Sequence, residues 1–172
     1  TTPELHSPQP VLEDRPKIDI AAFMQSFRNA THFREFDEDL VVLEDPVGLE
    51  RVLLDGTVET YMEKMALERA KGQNESVSYG IGMIGRNRFV EVVFNYEFMA
   101  GSSGVVAGEK FVRAMHLATS VVGRENLPMI VVCASGGQRQ QEAVPGLREM
   151  LRTVLACDQF KKKTNLPLIF IL

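Results

Sequence analysis

The sequence predicts an α/β fold, and three observations carry that reading. From Val77 onward, strand and helix patterns alternate along the chain. Two predicted strands, Met129–Ala134 and Leu166–Leu172, are apolar almost without interruption, as strands covered on both faces are. Of the 172 residues, 45% are hydrophobic and 24% charged, which suits one globular domain with its own core. Strand–helix–strand–helix–strand in that order predicts a parallel sheet with helices packed against it.

Residues 1–16 (TTPELHSPQPVLEDRP) hold four prolines without periodicity and read as an extended, Pro-rich arm. Residues 17–72 read as a helical lead-in segment: Ile20, Phe23, Met24 and Phe27 share one helical face, with Phe33 and Phe36 following. A second amphipathic helix is predicted over Thr57–Lys71 on the stripe Val58, Tyr61, Met62 and Met65, with Gly72 as its C-cap. Residues 73–172 read as the α/β core. Val77–Ile84 and Phe89–Phe94 are strands joined by the turn Gly85-Arg86-Asn87. After the loop Ala100-Gly101-Ser102-Ser103-Gly104, a helix over Gly108–Val122 carries Phe111, Met115, Ala118 and Val122 on one face. Pro128 introduces the strand Met129–Ala134, and a helix over Val144–Phe160 follows with Leu147, Leu151 and Val154 as its stripe. The final strand, LPLIFIL, needs cover on both faces and neighbours along its edges, so association with another chain is expected.

Charge and composition exclude several function classes. A net charge of −4 supplies no basic field for nucleic acid, and Lys161-Lys162-Lys163 reads as a solvated helix end. Cys133 and Cys157 form neither a disulfide framework nor a zinc spacing, and read as buried free thiols. No apolar run is long enough to span a membrane, and no signal-peptide pattern opens the sequence. Its first residue is Thr, which fits a leader already removed or a trimmed start. His6, His32 and His116 are scattered, and Asp37-Glu38-Asp39 reads as a solvated cluster. GIGMIG (80–85) runs into a strand pair rather than a helix, so it is no dinucleotide fingerprint.

The stretch VVCASGGQRQQEA (131–143) poses the functional question. An apolar strand stops at Ala134-Ser135-Gly136-Gly137 and a polar segment leads into a helix. Two glycines there serve a tight turn, or a place where backbone amides approach a ligand closely.

Taken together, FMAGSSGVVAGEKFVRA (98–114) and LPMIVVCASGGQRQQEAVPGLREM (127–150) resemble the carboxyltransferase β subunit of bacterial and plastid acetyl-CoA carboxylase. HFREFDEDL (32–40), DPVGL (45–49) and YMEKMALERAKGQNESVSYGIGMIG (61–85) follow the same family in order, so the likeness covers residues 18–172. The resemblance implies a crotonase/ClpP-like spiral of ββα units, with residues 73–172 as the N-terminal half of a carboxyltransferase-like core that is incomplete on its own. It also implies a reaction in which carboxyl passes from carboxybiotin, carried on a partner protein, to acetyl-CoA, giving malonyl-CoA for fatty acid synthesis. In that chemistry the ureido nitrogen takes the α-proton, and the protein stabilises oxyanions on the urea and on the thioester enolate. One lost backbone donor in such a hole costs about 3–4 kcal/mol. Glycine turns, rather than a His or Cys cluster, are then the signature.

Carried over by position, Ser135, Gly136, Gly137 and Arg139 match the SGGxR turn and would shape a CoA-binding groove, and Gly101, Ser102 and Gly104 match the GSxG loop, where a pantetheine chain or biotin would pass. Arg139 would pair with a CoA phosphate, with Glu142, or with a partner carboxylate. The resemblance implies obligate partners: a carboxyltransferase α-type subunit and a chain supplying the second half of the β domain. Bacterial cytoplasm, plastid stroma and another organelle matrix all suit it.

Three departures accompany the likeness. The family's four-cysteine zinc ribbon is missing, since residues 1–16 hold no cysteine, and no zinc is expected in this chain. Gln138 and Gln140 stand where the family has Ala and Met, and Ala100 and Ser103 replace Gly and Met. The family continues past the equivalent of Leu172 into a Pro-Thr-Thr-Gly-Gly stretch that supplies an oxyanion hole. Two readings follow: one component of a split carboxyltransferase, or a catalytically inactive, carboxyltransferase-derived structural subunit of a larger complex.

Overall fold

The computed structural model describes residues 22, 26–27, 33–42, 48, 50–52, 56–119 and 126–172. The Pro-rich arm, most of the first predicted helix and Val122 lie outside the described residues. Among the described residues the elements that position the site follow in order: β1 (Arg34–Phe36), β2 (Glu50–Val52), β3 (Val58–Thr60), α1 (Tyr61–Arg69), β4 (Val77–Ile84), β5 (Asn87–Phe94), α2 (Val105–Thr119), β6 (Met129–Cys133), α3 (Ala143–Thr164) and β7 (Leu168–Ile171). Short 3-10 turns at Met99–Gly101 and Gln140–Glu142 precede α2 and α3.

The expected alternation from Val77 onward is there, but the sheet is mixed rather than parallel. Its order is β1-β4-β5-β6-β7, and β1, β4 and β5 run antiparallel to their neighbours on that side. Ile84 pairs with Asn87 across a two-residue turn in which Gly85 takes φ +61°, a hairpin connection that a parallel sheet cannot use. The parallel part begins at β5, where the α2 and α3 crossovers bring β6 and β7 alongside.

Alternation along the strands places the core. Val77, Tyr79, Val90, Val92, Met129 and Val131 point to the face that packs against Phe111, Met115 and Ala118 of α2 and Phe160 of α3. The other face is thinner, with Val93 and Val132 packing against Phe27 and Ile171. Gly108 lets α2 and α3 approach closely: a Cβ there would lie 2.5 Å from Cβ of Glu149.

Three sequence expectations are corrected. The helix predicted from Thr57 starts at Tyr61, because Val58–Thr60 pairs with Glu50–Val52 and leaves Val58 52% exposed. Thr60 then caps α1 in a reciprocal box with Glu63, and the C-cap is Ala70 rather than Gly72. The α2 helix begins at Val105, three residues before the predicted Gly108. On α3 the predicted stripe of Leu147, Leu151 and Val154 faces outward, while Gly146, Glu149, Ala156 and Phe160 face the core. Small and paired residues fill a close helix crossing better than leucines do, so α3 is apolar on both sides. Lys161, Lys162 and Lys163 form its exposed last turn, as expected.

Candidate active site

The candidate site is built where β6 ends. There the loop 98–104 and the turn 134–139 are joined by a seam made mostly of backbone. Gly136 N–H donates to Ala100 O (2.7 Å), Ser103 N–H to Gly137 O (2.8 Å) and Arg139 N–H to Ser103 O (2.8 Å). Ser135 Oγ donates to Gly101 O (2.6 Å) and accepts from Gly137 N–H (3.1 Å). Glycine is required at this seam for close approach: a Cβ on Gly101, whose φ is +65°, would sit 2.1 Å from Ala134 O. Ala100 takes the same left-handed region, φ 55° and ψ 32°, without glycine's freedom.

Beside the seam lies an apolar cavity of about 430 Å³ at the C-terminal ends of β5, β6 and β7. Phe94, Phe111, Met150 and Phe170 supply its apolar walls, and Ser103, Ser135, Gly137 and Gln138 its polar rim. In sheets with parallel strands, ligands favour this end. Cys133 and Cys157 also line it, half-buried rather than fully buried, and burial pushes both thiols up from their ordinary value. They are protonated at neutral pH and poor nucleophiles.

Behind the seam is a charged cluster with no exposure to solvent. Arg139 is 0% exposed and reaches two carboxylates, Glu75 and Glu142. One terminal nitrogen donates to Glu142 Oε1 (3.0 Å), Glu75 Oε2 (3.3 Å) and Tyr61 Oη (3.1 Å). The other donates to Glu75 Oε1, Ser76 Oγ (3.1 Å) and Ser102 O (2.9 Å), and the guanidinium lies over the Phe98 ring. Tyr61 donates its hydroxyl to Glu142, and burial pushes that hydroxyl well above its ordinary value. One cation faces two carboxylates, and the α2 N-terminus helps to balance the excess: Val105 N–H donates to Glu142 Oε2. Gly104 is needed there, because a Cβ would lie 2.3 Å from Glu142 Oε1.

The sequence-predicted residues therefore divide among three places. Ser135 and Gly137 reach the cavity, Gly101 and Gly136 form the seam, and Ser102, Gly104 and Arg139 belong to the buried cluster. Of the partners open to Arg139, the structure gives Glu142 and adds Glu75. Gly136, Gly137 and Arg139 N–H are all engaged within the chain. Sequence reasoning did not find Glu75, Tyr61 and the aromatic walls Phe94 and Phe111. Glu142, three residues after Arg139 in the same motif, was the available signal.

Among the described residues no group of three His, Cys, Asp or Glu side chains is placed to hold a metal ion, and no helix is long and apolar enough to cross a membrane.

Comparison with known proteins agrees with this architecture. The chain is 36% identical over 138 residues to the acetyl-coenzyme A carboxylase carboxyl transferase subunit beta of Maricaulis maris, covering 80% of this chain and 43% of that protein. It is 32% identical over 157 residues to the Sorangium cellulosum subunit beta, covering 91% and 51%. The chloroplastic subunit beta of Helianthus annuus is 35% identical over 130 residues, covering 75% and 26%. This chain thus spans about half or less of the length of these relatives. Two solved structures share the crotonase-like fold: transcarboxylase 12S, with a TM-score of 0.54, 21% identity and coverage of 77% and 22%, and a Pseudomonas malonate decarboxylase hetero-tetramer, with 0.53, 22% and coverage of 81% and 46%. Residues 52–171 match the carboxyl transferase domain family, and the chain belongs to it.

Proposed function

We propose that the chain is part of the β-type carboxyltransferase of a biotin-dependent acetyl-CoA carboxylase and works only with partner chains. The observation that carries this reading is the apolar cavity rimmed by Ser135 and Gly137, set where the family's glycine turn meets the strand ends. The walls suit a short acyl thioester and its pantetheine arm, with Ser103, Ser135 and Gln138 as polar contacts at the mouth. Carboxybiotin, carried on a partner, would supply the transferable carboxyl group. The residues of this turn do not fit the role of oxyanion donors to it, since Gly136, Gly137 and Arg139 N–H are already engaged. No step is therefore assigned to biotin through this chain. Its own contribution is to hold the floor of the acyl site in one shape, while the donors come from the segment that completes the domain and from an α-type subunit. A compartment that synthesises malonyl-CoA, bacterial cytoplasm or plastid stroma, suits this role.

Those same engaged amides favour a second reading, a structural subunit that has kept the fold without the chemistry. Acetyl-CoA binding and carboxyl transfer, measured on the assembly purified from its native cell, separate the two. In the carboxyltransferase reading, wild-type assembly binds acetyl-CoA and forms malonyl-CoA from carboxybiotin. Gly137→Val, which forces a branched side chain onto φ +96° at the rim, is expected to lose acetyl-CoA binding. Wild-type affinity in that variant removes the cavity from the site. An assembly with no biotin-bearing chain and no acetyl-CoA binding establishes the structural role instead.

A further inference from the structure

Among the described residues, none of the side chains lining the cavity beside the glycine turn is charged, and most of its hydrogen-bond donors are spent within the chain. Gly137 N–H donates to Ser135 Oγ, the Ser135 hydroxyl to Gly101 O, and the Thr153 hydroxyl to Met150 O (2.8 Å). That leaves Ser103 and Gln138 at the rim, set side by side by the parallel bridge between their backbones. The Gln138 carboxamide is the sharper case, because its Nε2 is buried and meets no acceptor among the described residues. A buried N–H without an acceptor is destabilising, and a bound molecule that supplies the acceptor accounts for keeping one.

The surroundings say how that donor is used. Nε2 rests against α3 at Gly146, where a Cβ would collide with it, and it is enclosed by atoms of this chain. The first turn of a helix is a poor neighbour for an NH2 group, since its positive end favours an oxygen. Here Pro145 carries no N–H, and Glu142, committed to Tyr61, Arg139 and Val105 N–H, does not cap α3 with its side chain. Half a turn of the carboxamide about its last torsion, a soft one, exchanges its two ends. The oxygen then meets α3, and the NH2 group faces the cavity.

We propose that Gln138 is a catalytic residue of the acyl site: its carboxamide N–H donates to the carbonyl oxygen of the bound acyl thioester, beside the Ser103 hydroxyl, and stabilises the negative charge that gathers there as the enolate forms. An uncharged, apolar cavity suits a neutral thioester carbonyl better than a free carboxylate. In such surroundings an aimed side-chain amide serves as an oxyanion donor. Gln138 takes no proton and forms no bond to the acyl group. The main-chain N–H groups of the turn are engaged, so a side chain supplies what they do not. This rests on the acyl-thioester reading of the cavity and deepens it.

Difference infrared spectroscopy tests it on the assembly purified from its native cell, with acetyl-CoA carrying carbon-13 at the thioester carbonyl as the probe. In the wild-type assembly the carbonyl stretch is expected at lower frequency than in free acetyl-CoA. Gln138→Met, similar in length and without a donor, is expected to return the stretch to its free position. It should also lower kcat by about 10²–10³-fold with KM little changed. Gln138→Glu, which donates only when protonated, is expected to recover part of that loss relative to wild type as pH falls. A merely structural role lowers the melting temperature of Gln138→Met without moving the carbonyl. Bound acetyl-CoA with an unshifted carbonyl in the wild type, a shift that survives Gln138→Met, or an unchanged kcat in that variant overturns the donor and leaves the acyl site standing. A wild-type assembly that binds no acetyl-CoA overturns the acyl-site reading itself, and the donor with it.

Discussion

At Ala100 the backbone holds an ordinary residue in the left-handed region, at a cost of about 1–2 kcal/mol. The position is fixed from both sides: its carbonyl accepts Gly136 N–H, and the 3-10 turn around it sets up the seam. Ala100→Gly removes the strain without removing a bond and is expected to stabilise the chain by about 1 kcal/mol in urea denaturation. A loss of stability instead means that the methyl group packs usefully against Gly136. The same scale shows what a sequence conceals. Arg139 stood out beside the glycines, yet its partners Glu75 and Tyr61 lie 64 and 78 residues away, and no local spacing announces them. Only Glu142 shared its motif. Breaking such a buried pair costs about 3–5 kcal/mol, so its one cation and two carboxylates are held as a unit.

Helices α2 and α3 approach closely where Gly108 leaves room for Glu149. Gly108 stands against the Glu149 side chain, and replacing it with Leu is expected to destabilise by about 1–3 kcal/mol as the helices part. Thermal unfolding measures this, and an unchanged midpoint shows that the crossing can slide. The crossing also explains the main misreading at this scale. Hydrophobic periodicity located α3 to within a few residues but named the wrong side, because α3 carries leucines on the face away from its own core. Periodicity reports that a face is apolar, not what covers it. Strands β6 and β7 were legible from their nearly unbroken apolar runs, and β4 and β5 from the turn signal that joins them. The short β3 strand was not, since three residues pair only through contact with β2.

Across the whole molecule, acidic and basic side chains link the layers in a line. Asp37, just after β1, pairs with Arg113 (2.9 Å), Arg113 with Glu109 (2.8 Å), Glu109 with Arg152 (2.6 Å) and Arg152 with Glu149 (2.7 Å). Hydrogen bonds from Tyr79 and Arg113 hold the Asp37 carboxyl below its ordinary value, and the Arg113 bond does the same for Glu109. Because both values are depressed in the folded state, their stabilisation is complete above the ordinary carboxylate range and lost as pH falls through it. Stability is therefore expected to be flat near neutrality and to drop below about pH 4. Asp37→Asn should shrink that drop, and an equal drop in the variant assigns the acid lability elsewhere.

The seam between the two glycine loops is written almost wholly in main-chain atoms. Those bonds are indifferent to the side chains of Ser103 and Gln138, whose backbones pair across the seam while both residues line the cavity. The frame can thus stay fixed while the surface shown to a ligand is revised, one substitution at a time. Ser103 and Gln138 stand at such positions: a change at either alters what the mouth of the cavity presents without touching the main-chain bonds of the seam.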